Sequence, residues 1–333
     1  MTSGLIAMAF VAAGCGGDDD KSGDSGAGGD VSFTIGFTSA IGPGNVAILE
    51  AADELSAESG YGKIDNVPFS STDLAVQGLA SNDVQIMSGN GTEVYLAIDK
   101  GSPLKAVGQR IGDEFVVVGS PNVADCSQAD GKRMGIHSAA GITTALAKAW
   151  FAQECPDATP NYVTIEGSDN RVQALLAGQL DMAVVDLGGV TQLNLQAPDE
   201  YPVIDYLQQV FPEIQTSLNW SNASFMKDHK DAITDFLAKQ IEVQKHMNSD
   251  PSYFVEILQK YLPDMDDDTA KATADAYLAA GTFPTDGGVD ADGVQSTIDW
   301  LADNDLGVEK DSISSDDVFD GSMLEAALEK AGS

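Results

Sequence analysis

Small polar residues and glycines follow several predicted strands, and these residue types are suited to holding a small ligand. They let backbone N–H groups approach a bound molecule, and a helix N-terminus carries partial positive charge. In the first half of the chain the candidates are Thr38, Ser39, Ser88, Asn90 and Thr92. In the second half they are His137, Ser138, Gly141, Ile142, Thr143, Asp186 and Trp220. The loop before the predicted helix at residues 143–153 is thus a candidate cradle for an anion.

Each candidate also has a purely structural interpretation. Ser138 or Thr143 could cap the following helix, and Asn90-Gly91 could be only a turn. His137 could be a hydrogen-bonded histidine at a strand end, and Trp220 could pack in the core or at a hinge. The residue types alone leave both interpretations open.

The charge of the ligand is open as well. Only Arg110, Arg133 and Arg171 are arginines, and their scarcity weakens an oxyanion interpretation because the guanidinium fork suits oxyanions. The predicted helix N-terminus strengthens it. Asp186 could pair with a cationic or hydroxyl group, or cap the helix at GGVTQL, and together with Trp220 it would suit an amine-bearing heteroaromatic ligand.

The N-terminus carries a candidate modification site. Cys15 follows a short apolar stretch ending in Val-Ala-Ala-Gly and precedes the acidic, glycine-rich run GGDDDKSGDSGAGGD. This pattern resembles a bacterial lipoprotein export signal, in which the thiol of Cys15 would carry the lipid. We expect residues 1–15 to be the signal and residues 16–30 a flexible linker. No Lys or Arg precedes the apolar stretch, so an uncleaved N-terminus with an incidental cysteine is the alternative.

Cys126 and Cys155 remain as a pair. In an exported chain an even pair predicts a disulfide, and two free buried thiols are the alternative. No CxxC or histidine-rich spacing indicates a metal site, so we expect neither metal nor cofactor.

Composition limits the partners. The 333 residues include 17 basic and 52 acidic side chains, a net charge of −35, and such a surface repels phosphate backbones. We therefore exclude nucleic-acid binding. The apolar N-terminal stretch is shorter than the ~20 residues that span a bilayer, so we expect contact with the membrane only through a lipid anchor.

Alternating strand and helix patterns indicate the fold class. A strand–helix rhythm begins at VSFTIGF (31–37), restarts near residue 129 and gives way to helices after about Trp220. This predicts an α/β protein of two lobes with mainly parallel sheets. We assign residues 31–117 and 220–333 to lobe one, which the helical C-terminal segment completes, and residues 118–219 to lobe two. A ligand cleft would lie between them.

Several segments resemble a known family. ADGKRMGIHSAAGITTALAKAWF, GSDNRVQALLAGQLDMAVVDL, TDLAVQGLASNDVQIMSGNG and the helical segment from SFMKDHKDAITDFL onward are similar, in order and spacing, to the ABC-importer binding proteins for nitrate, sulfonates, taurine and thiamine precursors. The resemblance implies a periplasmic-binding-protein type II fold. It also implies a monomer, lipid-anchored outside the cytoplasmic membrane, that delivers a small molecule to a permease and its ATPase.

Two other functions compete with this one. Some members of the family are enzymes that make a pyrimidine precursor, but these carry a cysteine-rich motif and a committed histidine, whereas this chain has no cysteine cluster. We therefore predict a non-enzymatic protein. A binding module that feeds a membrane sensor is the remaining alternative.

Overall fold

The computed structural model describes residues 30–112, 114–138 and 141–332. The predicted signal with Cys15, and the predicted linker up to residue 29, lie outside the described residues. Within the described ranges, no helix is long and apolar enough to cross a membrane.

The strands alternate with helices along most of the chain, as the sequence pattern predicts. The strands are β1 (Val31–Phe37), β2 (Tyr61–Pro68), β3 (Ile86–Asn90), β4 (Leu104–Gln109), β5 (Phe115–Gly119), β6 (Arg133–Ile136), β7 (Asn161–Thr164), β8 (Met182–Asp186), β9 (Val203–Tyr206) and β10 (Ser217–Asn222). The helices up to β10 are α1 (Val46–Ser56), α2 (Thr72–Ala80), α3 (Thr92–Asp99), α4 (Ile142–Glu154), α5 (Ser168–Leu176), α6 (Leu187–Gln196) and α7 (Leu207–Val210). Those after it are α8 (Ala223–Asp228), α9 (Lys230–Ser249), α10 (Pro251–Tyr261), α11 (Asp267–Ala280), α12 (Ala291–Asp303), α13 (Ser315–Val318) and α14 (Ser322–Lys330).

The strands form two five-stranded sheets of the same design. The first has the order β2-β1-β3-β10-β4 and the second β7-β6-β8-β5-β9. In each sheet the first three strands are parallel. The fourth, β10 or β5, is antiparallel to the strands on either side of it. The predicted α/β class is confirmed, and each mainly parallel sheet holds one antiparallel strand.

These antiparallel strands follow the points where the chain changes sheet. After β4 the chain leaves the first sheet and enters the second as β5, and after β9 it returns to the first sheet as β10. The strand pairing therefore favours crossings at about residues 110–114 and 211–216. The predicted lobe boundary at residues 117–118 would cut β5, so we propose the two-lobe division with these shifted limits.

The C-terminal helices pack onto the first sheet. Helix α9 lies against α1 and α14, and it buries Ile233, Phe236 and Leu237. Phe319, just after α13, pairs with Ala106 of β4. Helices α9 and α14 and the segment after α13 thus lie beside the first sheet, whereas α11 packs against α6.

Cys126 and Cys155 bracket strand β6 and helix α4. Their Cα atoms lie 5.3 Å apart and their sulfur atoms are joined. This Cα separation is within the usual range for a disulfide.

Candidate ligand-binding site

A cavity of about 110 Å³ lies where the carboxyl ends of parallel strands from both sheets meet. In open α/β sheets this edge is the usual ligand position, because loops and helix N-termini converge there. The lining residues from the first sheet's loops are Thr38, Ser39, Ala40, Gly42, Pro43, Gly44, Asn45, Thr72, Gly89, Asn90 and Glu93. The others are Arg110, Glu114, Phe115, His137, Gly141, Ile142, Thr143, Gly167, Ser168, Arg171, Asp186 and Tyr277.

The structure brings most of the predicted site residues to this cavity. Those that line it are Thr38, Ser39, Asn90, His137, Gly141, Ile142, Thr143 and Asp186. Ser88, Thr92, Ser138 and Trp220 are not among the lining residues. Eight of the twelve predicted residues thus meet at one cavity, and their role in ligand binding stays a prediction.

Trp220 lies in the core of the first lobe. It is fully buried on β10, between Met87 of β3 and Ala106 of β4 in the strand register. Its ring packs edge-on against Tyr95, with 5.2 Å between centroids. This placement favours the packing interpretation of Trp220.

The loop before α4 is held by local hydrogen bonds. Gly141 precedes the helix in an extended conformation (φ −72°, ψ 158°). Thr143 Oγ1 accepts a hydrogen bond from the His137 backbone N–H at 3.3 Å, and Thr144 Oγ1 donates to the Ser138 carbonyl. The first amides of α4 thus lie at the cavity wall, where a helix N-terminus offers N–H donors.

His137 is a neutral hydrogen-bonding group here. Its Nδ1 accepts a hydrogen bond from the Gly167 backbone N–H at 3.1 Å, so the ring proton is on Nε2. Burial, with the nearby Arg171 guanidinium, lowers the pKa of the His137 imidazole. His137 can therefore donate one hydrogen bond to a ligand without carrying charge.

Asp186 combines a structural role with a place on the cavity wall. Its Oδ1 accepts a hydrogen bond from Gly189 N–H at 2.8 Å and so caps α6. Burial raises the pKa of this carboxyl to about 6, and the negative charge of Glu114 adds to the effect. A carboxyl with such a pKa changes its protonation state within the physiological range.

A buried ionic network was missed in the sequence. Arg110 Nη2 donates to Glu114 Oε1 at 2.6 Å, and Arg110 Nε donates to Ser217 Oγ at 2.9 Å. Tyr277 Oη donates to Glu114 Oε2 at 2.7 Å. The network joins both chain crossings to helix α11. The available signal was the pair of opposite charges four residues apart in RIGDE, between two predicted strands.

Arg171 was considered in the sequence, and the structure places it at the cavity. Its side chain is only 2% exposed; Nε donates to the Val184 carbonyl at 2.7 Å and Nη1 to the Ile165 carbonyl at 3.0 Å. Burial lowers the pKa of Arg171 to about 10, so the guanidinium stays charged at neutral pH.

Glu93 is a further residue that the sequence did not reveal. It lies in the first turn of α3 and lines the cavity. Its carboxylate accepts no hydrogen bond from another described residue. Burial raises the pKa of Glu93 to about 7, and Asp73 adds to the effect. Within the described ranges, no group of His, Cys, Asp and Glu side chains is arranged to hold a metal ion.

Two sheets of matching topology with a cavity between them define the periplasmic-binding-protein class of fold, as the sequence predicted. The chain belongs to the NMT1/THI5 like family, whose model matches residues 64–251. Among curated protein sequences, none matches the chain.

Solved structures share this fold. A ligand-binding component of an ABC-type import system from Staphylococcus aureus, with zinc bound, has a TM-score of 0.73 and 17% identity, over 89% of this chain and 98% of that one. The alkanesulfonate-binding protein SsuA from Xanthomonas axonopodis pv. citri, bound to MOPS, has a TM-score of 0.68 and 16% identity, over 89% of this chain and 100% of that one. The periplasmic nitrate-binding protein NrtA from Synechocystis PCC 6803 has a TM-score of 0.69 and 11% identity, over 91% of this chain and 89% of that one. The fold prediction is confirmed.

Proposed function

We propose that this chain is an extracytoplasmic solute-binding protein that captures a small molecule between its two lobes and delivers it to an ABC importer. The observation that carries the proposal is the cavity itself. It lies at the carboxyl ends of strands from both sheets, and its wall combines helix N-termini with buried charged side chains. Binding proteins of ABC import systems share the fold over nearly all of their length.

We propose binding rather than catalysis as the output of this site. No cysteine is among the residues that line the cavity in the described part of the chain. His137, the histidine at the cavity wall, has its basic Nδ1 occupied by the Gly167 amide. These features do not support the enzymatic alternative, which relies on a cysteine-rich motif and a committed histidine.

The partners and location are part of the same proposal. A permease and an ATPase would receive the ligand, and the lipid on Cys15 would hold the protein, as a monomer, on the outer side of the cytoplasmic membrane. The Cys126–Cys155 pairing is consistent with export to an oxidising compartment.

The experiment begins with native mass spectrometry of the purified protein to identify a co-purified small molecule. Thermal-shift assays with nitrate, sulfonates, pyrimidines and amines follow. A ligand present at 100 times its dissociation constant stabilises the protein by about 2.7 kcal/mol. Absence of any bound molecule and of any shift would contradict the proposal.

Gly42→Val then tests whether the ligand occupies this cavity. Gly42 lines the cavity in an extended conformation (φ −137°), and a Cβ built there meets no atom within 4 Å. Valine suits extended backbone, so we expect a more than tenfold loss of affinity with little loss of stability. Ser32→Val, at an exposed position of β1, is the control and should bind normally. Equal affinity in both variants would place the ligand elsewhere.

A further inference from the structure

The cavity wall carries more negative than positive charge. Its ionisable side chains include the guanidinium groups of Arg110 and Arg171 and the carboxyl groups of Glu93, Glu114 and Asp186. When all five are ionised, their net charge is −1, since His137 is neutral. A ligand that enters this cavity therefore meets an excess of carboxylate.

The two positive charges are already committed to the protein. Arg110 forms an ion pair with Glu114 at 2.6 Å, and both side chains are buried. Arg171 donates to two main-chain carbonyls, of Ile165 and Val184. An anionic ligand would therefore have to share both guanidinium groups with these partners.

Glu93 and Asp186 have less compensation, since among the described residues only the charge of Arg171 lies near Asp186 and no cation is bonded to either carboxylate. Neither forms an ion pair within hydrogen-bonding distance in the described part of the chain; Asp186 accepts one backbone N–H bond, and Glu93 accepts none from another residue. A carboxylate removed from water without a cationic partner is costly. The raised pKa values of both groups, about 7 for Glu93 and about 6 for Asp186, agree with this geometry.

We infer that the ligand is a compact molecule bearing a protonated amine, which the carboxylates of Glu93 and Asp186 hold. The inference rests on the proposed function and names the chemical class of its ligand. Glu93 lies on α3 beside the first sheet, and Asp186 ends β8 of the second sheet. An ammonium group in the cavity is therefore attracted to one carboxylate from the first sheet's side and one from the second sheet. A cavity of about 110 Å³ suits a compact molecule.

Hydrogen-bond donors on the cavity wall would hold the other end of the ligand. The first amides of α4 and the Nε2–H of His137 are hydrogen-bond donors. They suit an oxygen acceptor such as a hydroxyl, carbonyl or carboxylate group. The site thus has a carboxylate side for the amine and a donor side for an oxygen.

Isothermal titration calorimetry with four probes, β-alanine, propionate, ethanolamine and nitrate, tests the inference. β-Alanine and propionate differ only by the amine, and ethanolamine carries the amine without an acid. We expect β-alanine and ethanolamine to bind at least tenfold more tightly than propionate or nitrate. If propionate or nitrate binds as tightly as β-alanine, or neither amine binds, the inference is overturned.

Variants assign the effect to the two carboxylates. Glu93→Gln and Asp186→Asn should each weaken amine binding at least tenfold. If one of the two variants folds poorly, the other still tests the inference. Glu325→Gln is the matched control, because Glu325 also lies in the first turn of a helix, α14, but is exposed and outside the cavity. A Glu93→Gln protein that binds amines normally, or binds anions more tightly, contradicts the inference.

Proton exchange gives a second readout. An ammonium group favours the ionised form of both carboxyls, so binding at pH 6.5 should release protons, whereas an anion would cause uptake. Calorimetric titration in buffers of different ionisation enthalpy shows whether binding releases or takes up protons. The other titratable or charged groups around Glu93 and Asp186 are Asp73, Arg110, Glu114, Asp169, Arg171, His137 and Tyr277. If the protein binds an anion and Gly42→Val abolishes that binding, the proposed function stands and only the inference of an amine ligand is refuted. If the protein binds no ligand at all, both the proposed function and the inference are refuted.

Discussion

Replacing Asp186 by Asn should make the protein more stable at alkaline pH. The pKa of this carboxyl is about 6 in the folded protein, against 3.8 for an unperturbed Asp, because burial and Glu114 disfavour its charge. The folded state therefore binds the proton more tightly than the unfolded state, and the ionised carboxylate lowers stability as pH rises from about 4 to 6. Two pKa units correspond to about 3 kcal/mol. Because the side chain is only partly buried from solvent, we expect about 2 kcal/mol.

Urea unfolding of Asp186→Asn and the wild type at pH 8 and pH 4 measures this difference. The variant should be about 2 kcal/mol more stable at pH 8, and the gain should fall below about 1 kcal/mol at pH 4, where the wild-type carboxyl is protonated. The amide oxygen of Asn can still accept the Gly189 N–H bond, so the α6 cap is retained.

Asp290→Asn is the control for capping. Asp290 caps α12 through the Gly293 N–H at 2.7 Å, as Asp186 caps α6, but its side chain is exposed. We expect a change under about 0.5 kcal/mol at both pH values. If Asp186→Asn is no more stable than the wild type at pH 8, then Arg171 compensates the Asp186 charge and the charge argument fails.

Three further outcomes are expected. Reduction of the Cys126–Cys155 pair, which has a sequence separation of 29, should lower the free energy of unfolding by about 3 kcal/mol, measured by urea titration with and without dithiothreitol; a doubly Ser-substituted protein should not respond to the reductant. Asp181→Asn should cost about 1 kcal/mol at pH 7 and much less at pH 2, because Arg133 lowers the pKa of Asp181 to about 2 and this stabilisation is lost as pH falls from about 4 through that value; an equal cost at both pH values would contradict the ion-pair origin. Trp150→Phe should cost about 3 kcal/mol in thermal unfolding, since it removes a fully buried indole whose N–H donates to a carboxylate at 2.7 Å; a cost below about 1 kcal/mol would show that this contact is unimportant.

Local patterns predicted the parallel part of each sheet well. VSFTIGF and MAVVDL form β1 and β8, and the loops after them reach the cavity. These elements are readable because their alternation, capping residues and glycines act over a few neighbouring positions.

Pairings between distant residues could not be predicted in the same way. Tyr277 donates to Glu114 across 163 positions, and Arg110 contacts Ser217 across 107. These contacts depend on where the chain crosses between the sheets, which no local pattern specifies. Glu93 was missed for a related reason, because the local pattern around it does not show that the first turn of α3 lies at the cavity.

The position of β10 sets an order of events during synthesis. It lies between β3 and β4, yet more than 100 residues separate the end of β4 at Gln109 from the start of β10 at Ser217. Synthesis proceeds at roughly 5–20 residues per second, so β10 is made about 5–20 s after β4. All strands of the second sheet are made within that interval. A chain that folds during synthesis therefore presents the unpaired edges of β3 and β4 until β10 is made, and such edges are prone to aggregation.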